Sequence, residues 1–160
     1  MRRAQINRVS VLQVGYKLMK ASSDWGERTS DKRGRLAIEE WRVRARYVLR
    51  HLDDPIALQR SPLSRLAALE RLAKTAYPTG VIARGRALHD LAVECLSEIE
   101  SELDGHGALT KFKSFVALTR QGMGVAEASR NIGITPEYAS RALKRTLVNL
   151  LADKLRLKLC

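Results

Sequence analysis

The feature that most restricts the fold of this chain is the interruption at Asn131-Ile132-Gly133-Ile134-Thr135-Pro136. Residues 122–147, GMGVAEASRNIGITPEYASRALKRTL, read as a short helix, a tight turn and a second, longer helix. Gly133 is free to take the left-handed conformation that ends a helix sharply. Thr135 then suits the N-cap of the second helix, Pro136 its first turn, and Glu137 the positive end of its dipole. Two helices joined this closely must touch through small side chains. Ser129 and Ala139 are the small residues on the faces that should meet, with Ile132, Ile134 and Leu143 closing the core beneath them. The outward face of the second helix carries Glu137, Ser140, Arg141, Lys144 and Arg145.

Glu127-Ala128-Ser129-Arg130-Asn131-Ile132-Gly133-Ile134-Thr135 resembles the helix-turn-helix shared by LuxR-type regulators and the sigma-factor domain that reads the upstream promoter element. That family's small contact residue falls on Ser129, where alanine is usual. Its turn glycine falls on Gly133, and its apolar anchor on Ala139, where valine or isoleucine is usual. What the resemblance implies is binding to double-stranded DNA, with the second helix in the major groove. The plain alternative is a helical hairpin with a basic outer face.

The net charge of +12 and pI near 10.3, with 45% hydrophobic residues, describe a basic globular chain, whose charge favours polyanionic partners. Charge is unevenly placed. Residues 1–50 hold 13 Lys/Arg against 5 Asp/Glu, residues 51–108 hold 6 against 9, and residues 109–160 hold 10 against 3. Two basic regions thus flank an acidic middle. No apolar run approaches the roughly 20 residues of a spanning helix, and Met1-Arg2-Arg3 does not open a signal peptide. No membrane role is expected, therefore. Cys95 and Cys160 fit no metal spacing, which makes a reducing cytoplasm the simplest location.

In chain order, Ile6, Val9, Leu12, Val14, Leu18 and Met19 predict a helix over 4–20. Residues 21–34 form a polar, glycine-punctuated loop around Trp25, which either folds back on the core or anchors a partner. Ile38, Trp41, Ala45, Val48 and Leu52 mark an amphipathic helix over 35–52. Arg42, Arg46 and Arg50, at i+4 steps, form a cationic ridge on it: a second basic surface for phosphates, or a solvated face. Asp53-Asp54-Pro55 stops this helix and opens a connector to Ser61. Leu63, Leu66, Leu69, Leu72 and Ala73 predict the next helix.

A long helix over 81–103 buries Leu88, Ala92, Cys95, Ile99 and Leu103, which makes Cys95 a core thiol. Asp90, Glu94, Glu98 and Glu102 form an anionic ridge along it. Like charges at this spacing destabilise a helix, so the arginine ridge is expected to face it, within one chain or across a dimer. Asp104-Gly105-His106-Gly107 is the candidate boundary between a helical module over 1–104 and a helix-turn-helix unit over 108–160. A supporting helix over 109–121 buries Phe112, Phe115 or Val116, and Leu118. The last helix runs past the motif, its stripe continuing through Leu147, Leu150, Leu151 and Leu155 to Leu157 and Leu159. That surplus should pack on the first half or on a second copy.

The expected fold class is all-α. No catalytic grouping, metal set or cofactor motif stands out: His51, His89 and His106 are scattered, and Ala83-Arg84-Gly85-Arg86 lacks the strand and the glycines of a phosphate loop. The chain is therefore expected not to be an enzyme and to need no cofactor. The expected DNA-contacting set is Lys111, Lys113, Arg130, Thr135, Glu137, Tyr138, Ser140, Arg141, Lys144 and Arg145, joined by phosphate-binding amides at the start of the Val125 helix. Arg141 and Lys144 are placed for base edges, guanine above all. Small size and a lone helix-turn-helix make the chain similar in layout to phage-type late-gene activators and antitermination factors. That implies RNA polymerase as a partner and leaves a homodimer open. Other classes compatible with these residues are a helical adaptor that uses the motif for protein contact, and a non-specific architectural DNA binder.

Overall fold

A computed structural model of the chain describes residues 32–103 and 110–160, which are helical throughout apart from turns and short connections. The expected helix over 4–20, Trp25 with its loop up to residue 31, and the Asp104-Gly105-His106-Gly107 hinge lie outside the described residues. The first described helix, α1 (Lys32–Arg50), starts three residues before its expected limit, so Lys32, Arg33 and Gly34 are helical and not loop. Its stripe behaves as the spacing requires: Trp41, Ala45 and Val48 are buried, as is Leu52 in the turn that follows.

The Asp53–Ser61 connector contains a helix of its own, α2 (Pro55–Gln59). Asp54 caps it, one carboxylate oxygen accepting from Ile56 N and Ala57 N at 3.1 Å each, and Pro55 occupies the first turn. The same Asp-Pro pair that ends α1 therefore starts α2. The helix expected after Ser61 is also divided. A 3₁₀ turn (Pro62–Arg65) precedes α3 (Ala67–Ala76), with extended backbone at Leu66 between them. Buried Ser64 donates to the carbonyls of Gln59 and Ser61 at 2.7 Å each, which holds this corner. Leu63 and Leu69 reach the core, whereas Leu72 is exposed.

The centre of the molecule is α4 (Ala83–Glu102). Leu88, Ala92, Cys95 and Ile99 are buried as the stripe predicts, and Ala87, Leu91 and Leu96 are buried as well. A face this wide follows from its neighbours: α4 packs on α2 and α3, and also on α5 (Thr110–Arg120) and the last helix. Gly85 makes the close approach of α2 possible. A Cβ there would stand 2.0 Å from the Pro55 carbonyl oxygen, and its N–H donates to Gln59 Oε1 at 2.7 Å. Burial pushes the Cys95 thiol up to about 12, so it stays protonated inside the core.

After α5 come α6 (Val125–Ile132) and the last helix, α7. This is one continuous right-handed helix in three parts: an α turn (Pro136–Tyr138), a wider π turn (Ala139–Lys144) and a long α segment (Arg145–Leu159). Between Thr146 and Ala152 every residue but Asn149 is buried, because this stretch passes between α1 and α4. Leu155 and Leu159 are buried as expected; Leu157 is 69% exposed, roughly half a turn round the helix from both. Each fully buried leucine contributes roughly 1.5–3 kcal/mol. Buried side chains from Trp41 to Leu159 form one cluster shared by the segments on both sides of residues 104–109. No described helix is long and apolar enough to cross a membrane.

Candidate nucleic-acid interface

Two left-handed glycines shape the segment that carries the candidate residues. Gly122 (φ +87°) ends α5, with its N–H on Thr119 O at 3.0 Å and Met123 N–H on Leu118 O at 3.1 Å. Gly133 (φ +72°) ends α6 in the same way, its N–H reaching Arg130 O at 3.3 Å and that of Ile134 reaching Ser129 O at 3.0 Å. This paired bonding satisfies carbonyls that a helix end would otherwise leave open. Thr135, in extended backbone, then caps α7 by accepting from Tyr138 N at 3.3 Å.

α6 and the π turn of α7 meet through small residues: Ala128, Ser129 and Ala139 are each fully buried. The Ser129 hydroxyl donates to Ala126 O at 2.7 Å within its own helix, so serine meets no unsatisfied demand at this contact. Leu143 is buried beneath the pair, with Ile132 and Ile134 packed against the cluster. The opposite side of α7 faces outward. Thr135, Glu137, Ser140, Arg141 and Arg145 are exposed, Tyr138 and Lys144 half-buried, and Arg130 is exposed on α6. Arg130, Arg141, Lys144 and Arg145 make no ion pair with another described residue.

Other candidates lie elsewhere. Lys111 and Lys113 are half-buried in the first turn of α5, which at 1.5 Å per residue puts them roughly 15 Å along the helix from the Gly122 turn. The arginine ridge of α1 is not uniform. Arg42 pairs with Glu39, whereas Arg46 and Arg50 are exposed and pair with no described carboxylate. Arg44, outside the ridge, pairs with Glu40 and lies over the Trp41 ring at 5.6 Å.

The anionic ridge of α4 is not met by the arginine ridge within the chain. Lysines on the back of α7 meet it: Lys154 pairs with Glu98 and Glu102, and Lys158 with Glu94 at 3.2 Å and Glu98 at 2.7 Å. Hydrogen bonding from Lys158 holds the Glu98 carboxyl below its ordinary value against the opposing effect of burial. The same bond raises Lys158 against the lowering effect of burial, and for Lys154 burial pulls down and is outweighed by Glu102 and Glu98. Asp90 instead accepts from the Tyr77 hydroxyl and sits beside His89. Lys154 and Lys158 stand at i+4 spacing on α7, which is the sequence mark of a ridge complementary to the one on α4.

A cleft of about 280 Å³ opens between the end of α1 and this segment. Leu49 and Leu52 wall it on one side, Phe115, Val125 and Leu147 on the other, and Arg50, Asp53 and Lys144 contribute its charged groups. The cleft brings a cation of the α1 ridge beside one on α7, a juxtaposition with no local mark in the sequence.

Comparison with known proteins finds no matching family model, no matching characterised protein and no matching solved structure.

Proposed function

We propose that this chain is a sequence-specific DNA-binding transcription regulator that lays the first turns of α7, residues 135–147, in the major groove. One observation carries the reading. The side of α7 bearing Glu137, Ser140, Arg141 and Arg145 is open to solvent, and its cations have no carboxylate partner among the described residues. A groove lined by phosphates supplies the missing counter-charge, and base edges match the donors of Arg141 and Lys144. Glu137 accepts from cytosine in this arrangement, and Arg130 and Arg145 hold flanking phosphates. The body formed by α1 to α4 is then the surface left for RNA polymerase or for a second copy, in the manner of a phage late-gene activator or antitermination factor.

The test is a gel shift at rising salt with selected and scrambled duplex competitors. Sequence preference that persists at physiological salt, lost in the Arg141→Ala/Lys144→Ala double variant, is the expected result. Tight binding indifferent to sequence would replace the reading with an architectural role. No binding to any duplex would leave the protein-adaptor role.

A further inference from the structure

We propose that the cleft between the end of α1 and the Gly122 turn seats a sugar-phosphate unit of the bound duplex, so that Arg50 grips DNA together with α7. The inference rests on the duplex reading above and deepens it: α1, far from the motif in sequence, becomes part of the DNA-binding surface.

Three observations support this occupant. Arg50 and Lys144 come from separate helices yet line one cleft, and neither forms an ion pair with a described carboxylate. Arg46, one turn before Arg50, is exposed and extends the positive edge along α1. The walls are apolar: Leu49, Met123 and Val125 are half-buried and present accessible surface, while Leu52 and Phe115 line the same cleft almost wholly buried. A bare inorganic ion gains nothing from such walls, whereas a deoxyribose has a C–H face to lay on them and a phosphate to offer the cations. Lys144 lines the cleft and lies three residues after Arg141 on the same helix. Lys144 thus belongs both to the reading side of α7 and to the cleft, and Arg50 adds a contact that α7 lacks.

Asp53 supplies a signed test. It is exposed, lines the same cleft and takes no part in capping α2, which is the work of Asp54. Its carboxylate opposes a phosphate held there, so removing its charge must tighten DNA binding and not weaken it.

The experiment uses the full chain and fluorescence anisotropy with selected and scrambled duplexes across a salt series, paired with hydroxyl-radical footprinting. Arg50→Ala is expected to weaken both duplexes by roughly fivefold and to lower the slope of log K against log salt by about 0.9, one phosphate's worth. Sequence preference stays as it was. In the footprint, protection of one sugar flanking the site disappears. Asp53→Asn is expected to tighten both duplexes about twofold or more. Thermal melts show whether each variant is folded, and Arg50→Gln serves if Arg50→Ala is not. Wild-type protein that binds duplex while Arg50 variants keep its affinity, slope and footprint overturns the inference alone. Asp53→Asn binding more weakly than wild type does the same. Wild-type protein that ignores every duplex overturns the reading of α7 itself, a separate and distinguishable result.

Discussion

The two ends of α7 carry similar residues in opposite circumstances. At the front, Arg141, Lys144 and Arg145 stand over a thin layer of small contacts and pair with no described acid. At the back, Lys154 and Lys158 are engaged by Glu94, Glu98 and Glu102, on a helix that packs against α1 and α4. Charge alone does not distinguish these ends. What distinguishes them is whether the fold has already supplied the counter-charge. A cation answered within the chain contributes to holding the chain together, and one left unanswered is available to a partner.

Changes at the back should show as stability. Leu151 is fully buried where α7 passes between its neighbours, and Leu151→Ala is expected to cost about 2–5 kcal/mol, read as a lower midpoint in urea. An unchanged midpoint would break the contrast outright. The turn before the front comes next. Gly133 holds φ +72° with open space around its Cβ position, so Gly133→Ala suffers from the backbone and not from crowding, by about 1–2 kcal/mol. Thr135→Ala removes the cap on Tyr138 N and should cost about 1 kcal/mol. Both should also lower DNA affinity if the turn aims the front of α7, which anisotropy measures beside the melts.

The ion pairs at the back give a smaller effect with a defined pH sign. Glu98 is held below its ordinary value of 4.5, so its contribution is present above that pH and fades as acid brings the pH down through its folded value. Lys154 and Lys158 are held above 10.5, so theirs is present below that pH and fades as alkali carries the pH past their folded values. Because these groups are partly exposed, solvent screening keeps each pair to about 1 kcal/mol or less. Melting temperature against pH should therefore fall at both extremes, and Glu98→Gln should flatten the acid side. Arg145→Ala should change stability least, by under about 0.5 kcal/mol, yet weaken duplex binding. A variant that alters both would mean the front is not the open surface described.

Local patterns were readable where one helix decides them alone. The buried stripes of α1 and α4, the Gly133 turn and the Thr135 cap all follow from spacing and residue type within a dozen positions. The all-α class followed from the same periodicity. Asp54-Pro55 shows how one signal carries two meanings: it stops a helix and equally starts one, and the chain uses both. Leu72 fits helical spacing but is exposed, because a stripe says which residues share a face and not how far the neighbouring helices extend over it; Leu157 is exposed because two residues from Leu155 put it on the opposite side of α7. Non-local pairings were the least readable. That Lys154 and Lys158, not the arginine ridge, answer the α4 carboxylates depends on which helices lie side by side. So does the placing of Arg50 and Lys144 on one cleft.

The unbroken course of α7 has a mechanical consequence. Pro136 and Leu159 lie on one rod, clamped along its rear by the body of the molecule. The open tip therefore has no joint of its own, and any object seated on it takes a set bearing to α1 and α4.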